Sequence, residues 1–249
     1  MVLNFRALRA KLIGLTLLSG FAFAAHAAHS IAQPRPLDVA PPNSGLLPMG
    51  TIAFDASEPL ARAWVEVDPP ASGKVEVAGT RILFSPVEPL RPGADYRFTL
   101  FAEAEDGRAA RRTWRLRVQE LGDTLWVYVR LDSERHEVSV YRGDDLVRRM
   151  PASGGRPGFE TPGGVYTIQN RGYHFFSQKY GEGAYYWVRI FGNYLFHSLP
   201  VDAQGRVIEE EARKLGCPAS HGCIRLDFPD ARWFYETVPD GSLVIIDTF

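Results

Sequence analysis

The chain has 249 residues, 28 basic against 29 acidic side chains, 45% apolar and 12% aromatic residues, and two cysteines. This is material for two modest cores, and near-zero net charge removes the electrostatic reason to expect a nucleic acid partner. Ordinary charged and apolar fractions exclude wholesale disorder, collagen-like repetition and a coiled coil, and two cysteines cannot build a disulfide framework.

Residues 1–28 read as a secretory signal peptide. Arg6, Arg9 and Lys11 precede an apolar run over 12–25 that ends in small residues, Ala24-Ala25-His26-Ala27-Ala28. The run covers 14 residues and is interrupted by Gly14, Thr16, Ser19 and Gly20, short of the ~20 a membrane-spanning helix needs. Cleavage after Ala27 or Ala28 is expected, with an uncleaved anchor as the alternative. The protein is then exported, to the periplasm or cell wall.

Residues 29–48 hold Pro34, Pro36, Pro41, Pro42 and Pro48 with Asn43-Ser44-Gly45, a composition that predicts an irregular linker. Short β-branched and aromatic runs follow at 51–54, 63–67, 74–77, 81–84, 96–101 and 113–118, separated by turn residues; this spacing predicts a small β-sandwich over 49–119. In the last run Arg112, Trp114, Leu116 and Val118 share one face, and Arg111, Thr113, Arg115 and Arg117 the other, as a half-buried strand requires. The arginines predict a solvated face, with contact to an anionic wall polymer as the sharper alternative. Nothing here groups a nucleophile with a base, so a spacer or docking role is expected. The stretch 36–118 resembles bacterial immunoglobulin-like repeats through Ile52-Ala53-Phe54, Leu83-Phe84-Ser85-Pro86 and Pro89-Leu90-Arg91-Pro92-Gly93-Ala94-Asp95-Tyr96.

After a junction at 120–123, a second module over 123–248 carries strand-like runs at 125–131, 137–141, 165–168, 185–191, 194–196 and 243–246, with helical character only near 209–214 and 229–237. The class is mainly β with short helices. The aromatic run between Gly172 and Val188 can cover a cleft, with Gly181 and Gly183 as hinges, or pack in the core.

The chemistry centres on Ser220-His221-Gly222-Cys223-Ile224-Arg225 and on His197-Ser198 at the end of an apolar run. A thiol with a pKa near ~8.5 needs a neighbouring imidazole or a backbone dipole to become an efficient nucleophile. Gly222 clears space beside the sulfur for a substrate carbonyl and an oxyanion. Either histidine can serve as base: His221 is close in sequence, His197 sits on a rigid mount, and Ser198 can hold its tautomer. Competing readings are a buried structural cysteine, a zinc site from Cys217, His221, Cys223 and His197, for which the spacing is wrong, and a reversible Cys217–Cys223 disulfide.

Together Thr161-Pro162-Gly163-Gly164-Val165-Tyr166-Thr167-Ile168, Phe196-His197-Ser198 and Ser220-His221-Gly222-Cys223-Ile224-Arg225-Leu226 resemble the L,D-transpeptidase catalytic domain (YkuD) family, whose fold is a β-sandwich or barrel with short helices. The resemblance implies that Cys223 is the nucleophile, that His197 donates and accepts the proton, and that Ser198 orients His197 by its hydroxyl or backbone oxygen. It implies too that His221 and Gly222 shape the cleft and oxyanion site, and that Arg225, Ser220 and Tyr186 meet substrate, Arg225 alternatively supporting the loop. The implied reaction acts on peptidoglycan stem peptides, with another stem, an envelope protein or water as acceptor, no metal or other cofactor, and a monomer. A catalytically silent wall-binding protein is the alternative. Between His197 and Ser220 lie 22 residues, including Glu209-Glu210-Glu211, more than the family's commonest spacing.

Overall fold

The computed structural model describes residues 36–40, 42, 45–133 and 135–248; the expected signal peptide lies outside them. Among the described residues no helix is long and apolar enough to cross a membrane.

The first part is built from β1 (Val39–Ala40), β2 (Ile52–Ala56), β3 (Leu60–Asp68), β4 (Gly73–Ala78), β5 (Arg81–Pro86), β6 (Asp95–Ala104) and β7 (Ala109–Arg117). They form two sheets, β1-β2-β5-β4 and β3-β6-β7, whose inward residues meet in one core that includes Phe54, Phe84, Phe98 and Leu100. Strand alternation explains this: in β7, Trp114 and Leu116 pack inward while Arg111, Thr113, Arg115 and Arg117 are exposed. The expected linker is partly strand and core. Val39 pairs with Ala56, Leu37, Val39 and Leu46 are buried, and Leu46 bridges to Val118. The proline count masked the apolar residues between.

The second part follows in the order β8 (Leu125–Leu131), β9 (His136–Arg142), β10 (Asp145–Ser153), β11 (Gly164–Thr167), β12 (Arg171–Ser177), β13 (Glu182–Phe191), β14 (Tyr194–Ser198), α1 (Glu209–Ala212), β15 (Ile224–Leu226), α2 (Phe228–Thr237) and β16 (Leu243–Asp247). One nine-stranded sheet results, ordered β11-β16-β8-β9-β10-β15-β14-β13-β12. Strand β8 reads as continuously apolar because both its faces are covered. Leu125, Val127 and Val129 enter the main core with Phe196, Ile224 and Phe234, while Trp126 and Tyr128 pack outward with Met49 and Ile245. Burying a large apolar side chain contributes roughly 2–3 kcal/mol, so this second cluster joins the segment around Met49 firmly to the sheet. An Arg91–Asp144 ion pair at 2.9 Å lies between the same two parts of the chain.

Helix α2 starts where Asp227 accepts from the Phe228 amide at 2.8 Å with proline in the first turn. Its buried Phe234 packs on Phe196 of β14, ring centroids 4.5 Å apart. The helix thus braces the strand that carries His197 from behind.

Candidate active site

Strands β14 and β15 run parallel, pairing Phe196 with Ile224, His197 with Arg225 and Ser198 with Leu226. Side chains alternate across a strand. Phe196 and Ile224 therefore enter the core, and His197, Arg225 and Cys223, two residues before Arg225, share the opposite face. On adjacent strands Cys223 and His197 are diagonal neighbours, with backbone positions roughly 7–8 Å apart, within side-chain reach. Both line a cleft of about 500 Å³.

The imidazole of His197 is buried, and its Nδ1 lies 2.6 Å from the Ser198 carbonyl. A carbonyl only accepts, so Nδ1 carries the proton and Nε2 keeps its lone pair. Ser198 acts here through its backbone; its hydroxyl donates to Leu199 O at 2.8 Å and accepts from the Tyr185 amide at 3.0 Å. Phe175 packs edge-on against the imidazole at 5.5 Å. Burial lowers the His197 pKa to about 4, and burial likewise pushes the Cys223 thiol upward, against an opposing hydrogen bond from the Leu195 backbone and the charge of Arg225. Both shifts favour the neutral forms, of the thiol and of the imidazole. At the thiol, desolvation outweighs the neighbouring donors. The thiol lies 3.5 Å from Asn193 O and can donate to it.

Gly222 has φ +112°, and a Cβ there would come within 2.6 Å of the Tyr194 ring, so glycine is required. Its amide donates to Ser220 Oγ at 3.0 Å and its carbonyl accepts from Thr161 Oγ1 at 2.8 Å. That amide is thus occupied, contrary to the oxyanion role expected for Gly222. Ser220 does not address substrate either: its hydroxyl donates to Cys223 O at 2.5 Å and is buried, bracing the turn that presents the thiol.

Tyr186 is a further correction. It has φ +57°, packs against the core and lies near Tyr173 and Tyr235 at 5.5 and 5.8 Å. It is not among the cleft residues, because β13 turns that side chain toward α2.

His221 lines the cleft. Arg156 Nη2 lies 3.0 Å from its Nε2, and since a guanidinium only donates, that nitrogen's lone pair is taken. The ring is stacked on Tyr180 at 4.1 Å and met edge-on by Phe159 at 5.1 Å. Burial, followed by the charges of Arg156 and Arg225, holds its pKa below the ordinary histidine value. Tyr180 lies in the turn between β12 and β13, so the aromatic run forms a hairpin wall of the cleft, with Phe175 and Phe176 on it.

Arg225 lines the cleft as well, but its guanidinium is only 4% exposed and is gripped by Glu211 and by Glu182. It corresponds to the loop-supporting alternative rather than to a free carboxylate receptor. Both cysteines are free thiols, and Cys217 is exposed outside the cleft lining. Among the described residues no three His, Cys, Asp or Glu side chains gather as a metal site. Sequence reasoning missed Thr161 as a brace and Asn193; Phe175 belonged to the aromatic run expected over the cleft, and Glu211 stood out only as part of a charged stretch.

Residues 126–246 match the family described as the L,D-transpeptidase catalytic domain, YkuD. YciB of Bacillus subtilis, whose name places it among the L,D-transpeptidases, is 40% identical over 126 residues, covering 48% of this chain and 65% of that protein. L,D-transpeptidase 3 of Mycobacterium tuberculosis is 33% identical over 120 residues, covering 43% of this chain and 41% of that one. The chain thus spans 65% and 41% of the lengths of these two curated relatives. A crystal structure of an L,D-transpeptidase from the same mycobacterium aligns over 85% of this chain and 98% of its own, at 20% identity and a TM-score of 0.41.

Proposed function

We propose that the protein is an exported, cysteine-dependent peptidoglycan L,D-transpeptidase, with residues 49–119 as an immunoglobulin-like spacer and 123–248 as the catalytic module. The observation that carries this reading is the β14–β15 register, which aims Cys223 and His197 into one cleft within the segment that matches the family.

In this reading Cys223 Sγ attacks the carbonyl of the third stem-peptide residue while its proton passes to His197 Nε2. The oxyanion collapses, the bond to the terminal D-residue breaks, and His197 returns the proton to the leaving amine, which departs and leaves a thioester. An acceptor amine then gives its proton to His197, attacks the thioester and releases the thiol. The Ser198 carbonyl fixes the tautomer this sequence needs. With the Gly222 amide occupied, the Cys223 amide beside the sulfur is the candidate oxyanion donor. The acceptor is a second stem or an envelope-protein amine; with water the same steps give an L,D-carboxypeptidase.

Around the cleft Lys179 stands over the Tyr180 ring, Arg156 faces His221, and Arg189 bonds Asn170 at 2.9 Å. Among the described residues none of the three has a carboxylate partner in the ion pairs, and a stem peptide with free carboxylates suits such a rim.

The test is intact-mass detection of a covalent adduct after incubation with a carbapenem, a class that acylates this family. The expected adduct is kept in Cys217→Ala and lost in Cys223→Ala. Its absence from the parent under reducing conditions overturns the reading. Mass analysis of products from a defined tetrapeptide donor then separates cross-linking, attachment and trimming.

A further inference from the structure

The long segment between His197 and Ser220 supplies a charged group that reaches the back of the reacting pair. Its helix α1 carries Glu211, which pairs with Arg225 Nη1, while Lys214 Nζ lies 2.6 Å from Glu211 on the other side. From the hairpin, Glu182 at the start of β13 meets Arg225 Nη2 at 3.2 Å. One guanidinium is thereby clamped between two carboxylates, Glu182 of the hairpin that walls the cleft and Glu211 of the segment between His197 and Ser220. Arg225 itself sits directly across from His197 in the sheet register and on the same face as Cys223. Its Nε has no hydrogen-bond partner, so the carboxylates alone hold the group.

We propose that Glu211, assisted by Glu182, is a positioning residue for the thiol–imidazole pair: it fixes the Arg225 guanidinium beside Cys223 and His197 and offsets its charge there.

The other charged groups around the cleft are Lys214 behind Glu211, and Arg156, Lys179 and Arg189 on the rim, with His221 and Tyr180 as the further titratable side chains that line it. All the rim charges are positive. Glu182 and Glu211 are therefore the local counterweight, and removing one carboxylate charge leaves an excess of positive field at the sulfur. That field favours thiolate and disfavours imidazolium. Burial raises the Glu182 pKa, with Arg225 opposing it. Glu211 lies below its ordinary range even though burial, its largest single influence, pushes upward, because Lys214 and Arg225 together outweigh that push. Glu211 is thus the carboxylate whose charge is the more firmly present at neutral pH.

The proposal depends on the reading of Cys223 and His197 as nucleophile and base only for its effect on turnover, so the experiment reads the thiol directly. The full chain carrying Cys217→Ala leaves Cys223 as its single thiol, and its alkylation by iodoacetamide is followed by intact mass from pH 5 to 10. Adding Glu211→Gln keeps a hydrogen-bonding side chain and removes the charge. The rate at pH 7 is expected to rise at least about threefold, with the whole profile moved toward acid, whereas Glu211→Asp retains the parent profile. A Glu211→Gln profile that superimposes on the parent, or moves toward alkali, overturns the proposal whatever happens to turnover. Should Glu211→Gln fail to fold, Glu182→Gln is read the same way, with the acid-ward move expected and its absence refuting. Failure of the transpeptidase reading shows instead as a missing carbapenem adduct, independently of this profile.

Discussion

Acidification is the perturbation that reads the environment of His197 most directly. Its pKa falls from the ordinary 6.5 to about 4, chiefly through burial. The unfolded chain binds the proton more readily than the folded one, so the contribution to stability is intact above pH 6.5 and is lost as pH falls from 6.5 toward 4. Each pKa unit corresponds to ~1.36 kcal/mol, which gives about 3 kcal/mol over the full window and about 2 kcal/mol by pH 5. Burial also lowers the pKa values of His136 and His221, so the parent alone does not isolate the residue. The comparison is urea unfolding of the parent and of His197→Asn, which retains a donor for the Ser198 carbonyl, at pH 7.5, 6, 5 and 4.5. The difference in stability between the two is expected to shrink by about 2 kcal/mol between pH 7.5 and 5. Parallel curves over that range would show that His197 is not held neutral by burial, and the description of a neutral resting pair would be wrong.

Two further outcomes concern the frame around the thiol. Thr161 is buried, donates to Gly222 O at 2.8 Å and accepts from the Gly155 amide at 2.9 Å. Thr161→Val preserves shape but strands both groups, so calorimetry should show a loss of about 2–4 kcal/mol, against about 1 kcal/mol for Thr161→Ser. In Ser198→Ala the Tyr185 amide loses its acceptor, which costs about 1 kcal/mol, but the carbonyl that orients His197 remains. Carbapenem acylation at Cys223 should then continue within about threefold of the parent; a collapse of that rate would assign the orienting task to the hydroxyl.

How far the sequence reveals this arrangement depends on the kind of interaction involved. Strand β8 was legible to the residue because each of its faces is covered by apolar neighbours. Strand β10 was not: Arg148, Arg149 and Pro151 interrupt its alternation, and only Met150, Ala152 and Ser153 at its far end are buried. At three residues, β15 is too short for any periodicity to appear, yet its register with β14 decides which side chains meet. Cys223 and His197 could be singled out because thiol, imidazole and glycine in that pattern carry chemistry whatever their surroundings. Tyr186 was assigned the wrong task because its direction depends on a contact distant in the chain, with Tyr235, and the Gly222 amide is occupied by Ser220 Oγ through a turn whose geometry spacing alone does not reveal. For the same reason Glu211, 14 positions from Arg225, stood out only as part of a charged stretch.

The corrected assignments point to a site that stores little charge at rest. An ion pair at Cys223 and His197 would need solvent or neighbouring dipoles to offset its desolvation, and what bears on the thiol is Asn193 O, the Leu195 backbone and the offset cation Arg225. A neutral pair avoids that cost, and in the proposed reaction the Nε2 lone pair of His197 takes the thiol proton as the sulfur attacks. In that reading the imidazolium exists only while the oxyanion does, so the two charges that burial penalises separately arise together and offset each other. His221, with its lone pair directed at Arg156, stays outside that proton exchange. Its stacking between Tyr180 and Phe159 gives it a different task, joining the hairpin wall to the loop that precedes Thr161. The same physical rule thus separates the two histidines: in His197 the carbonyl holds Nδ1 and Nε2 keeps its lone pair, whereas in His221 Nε2 is tied to a cation.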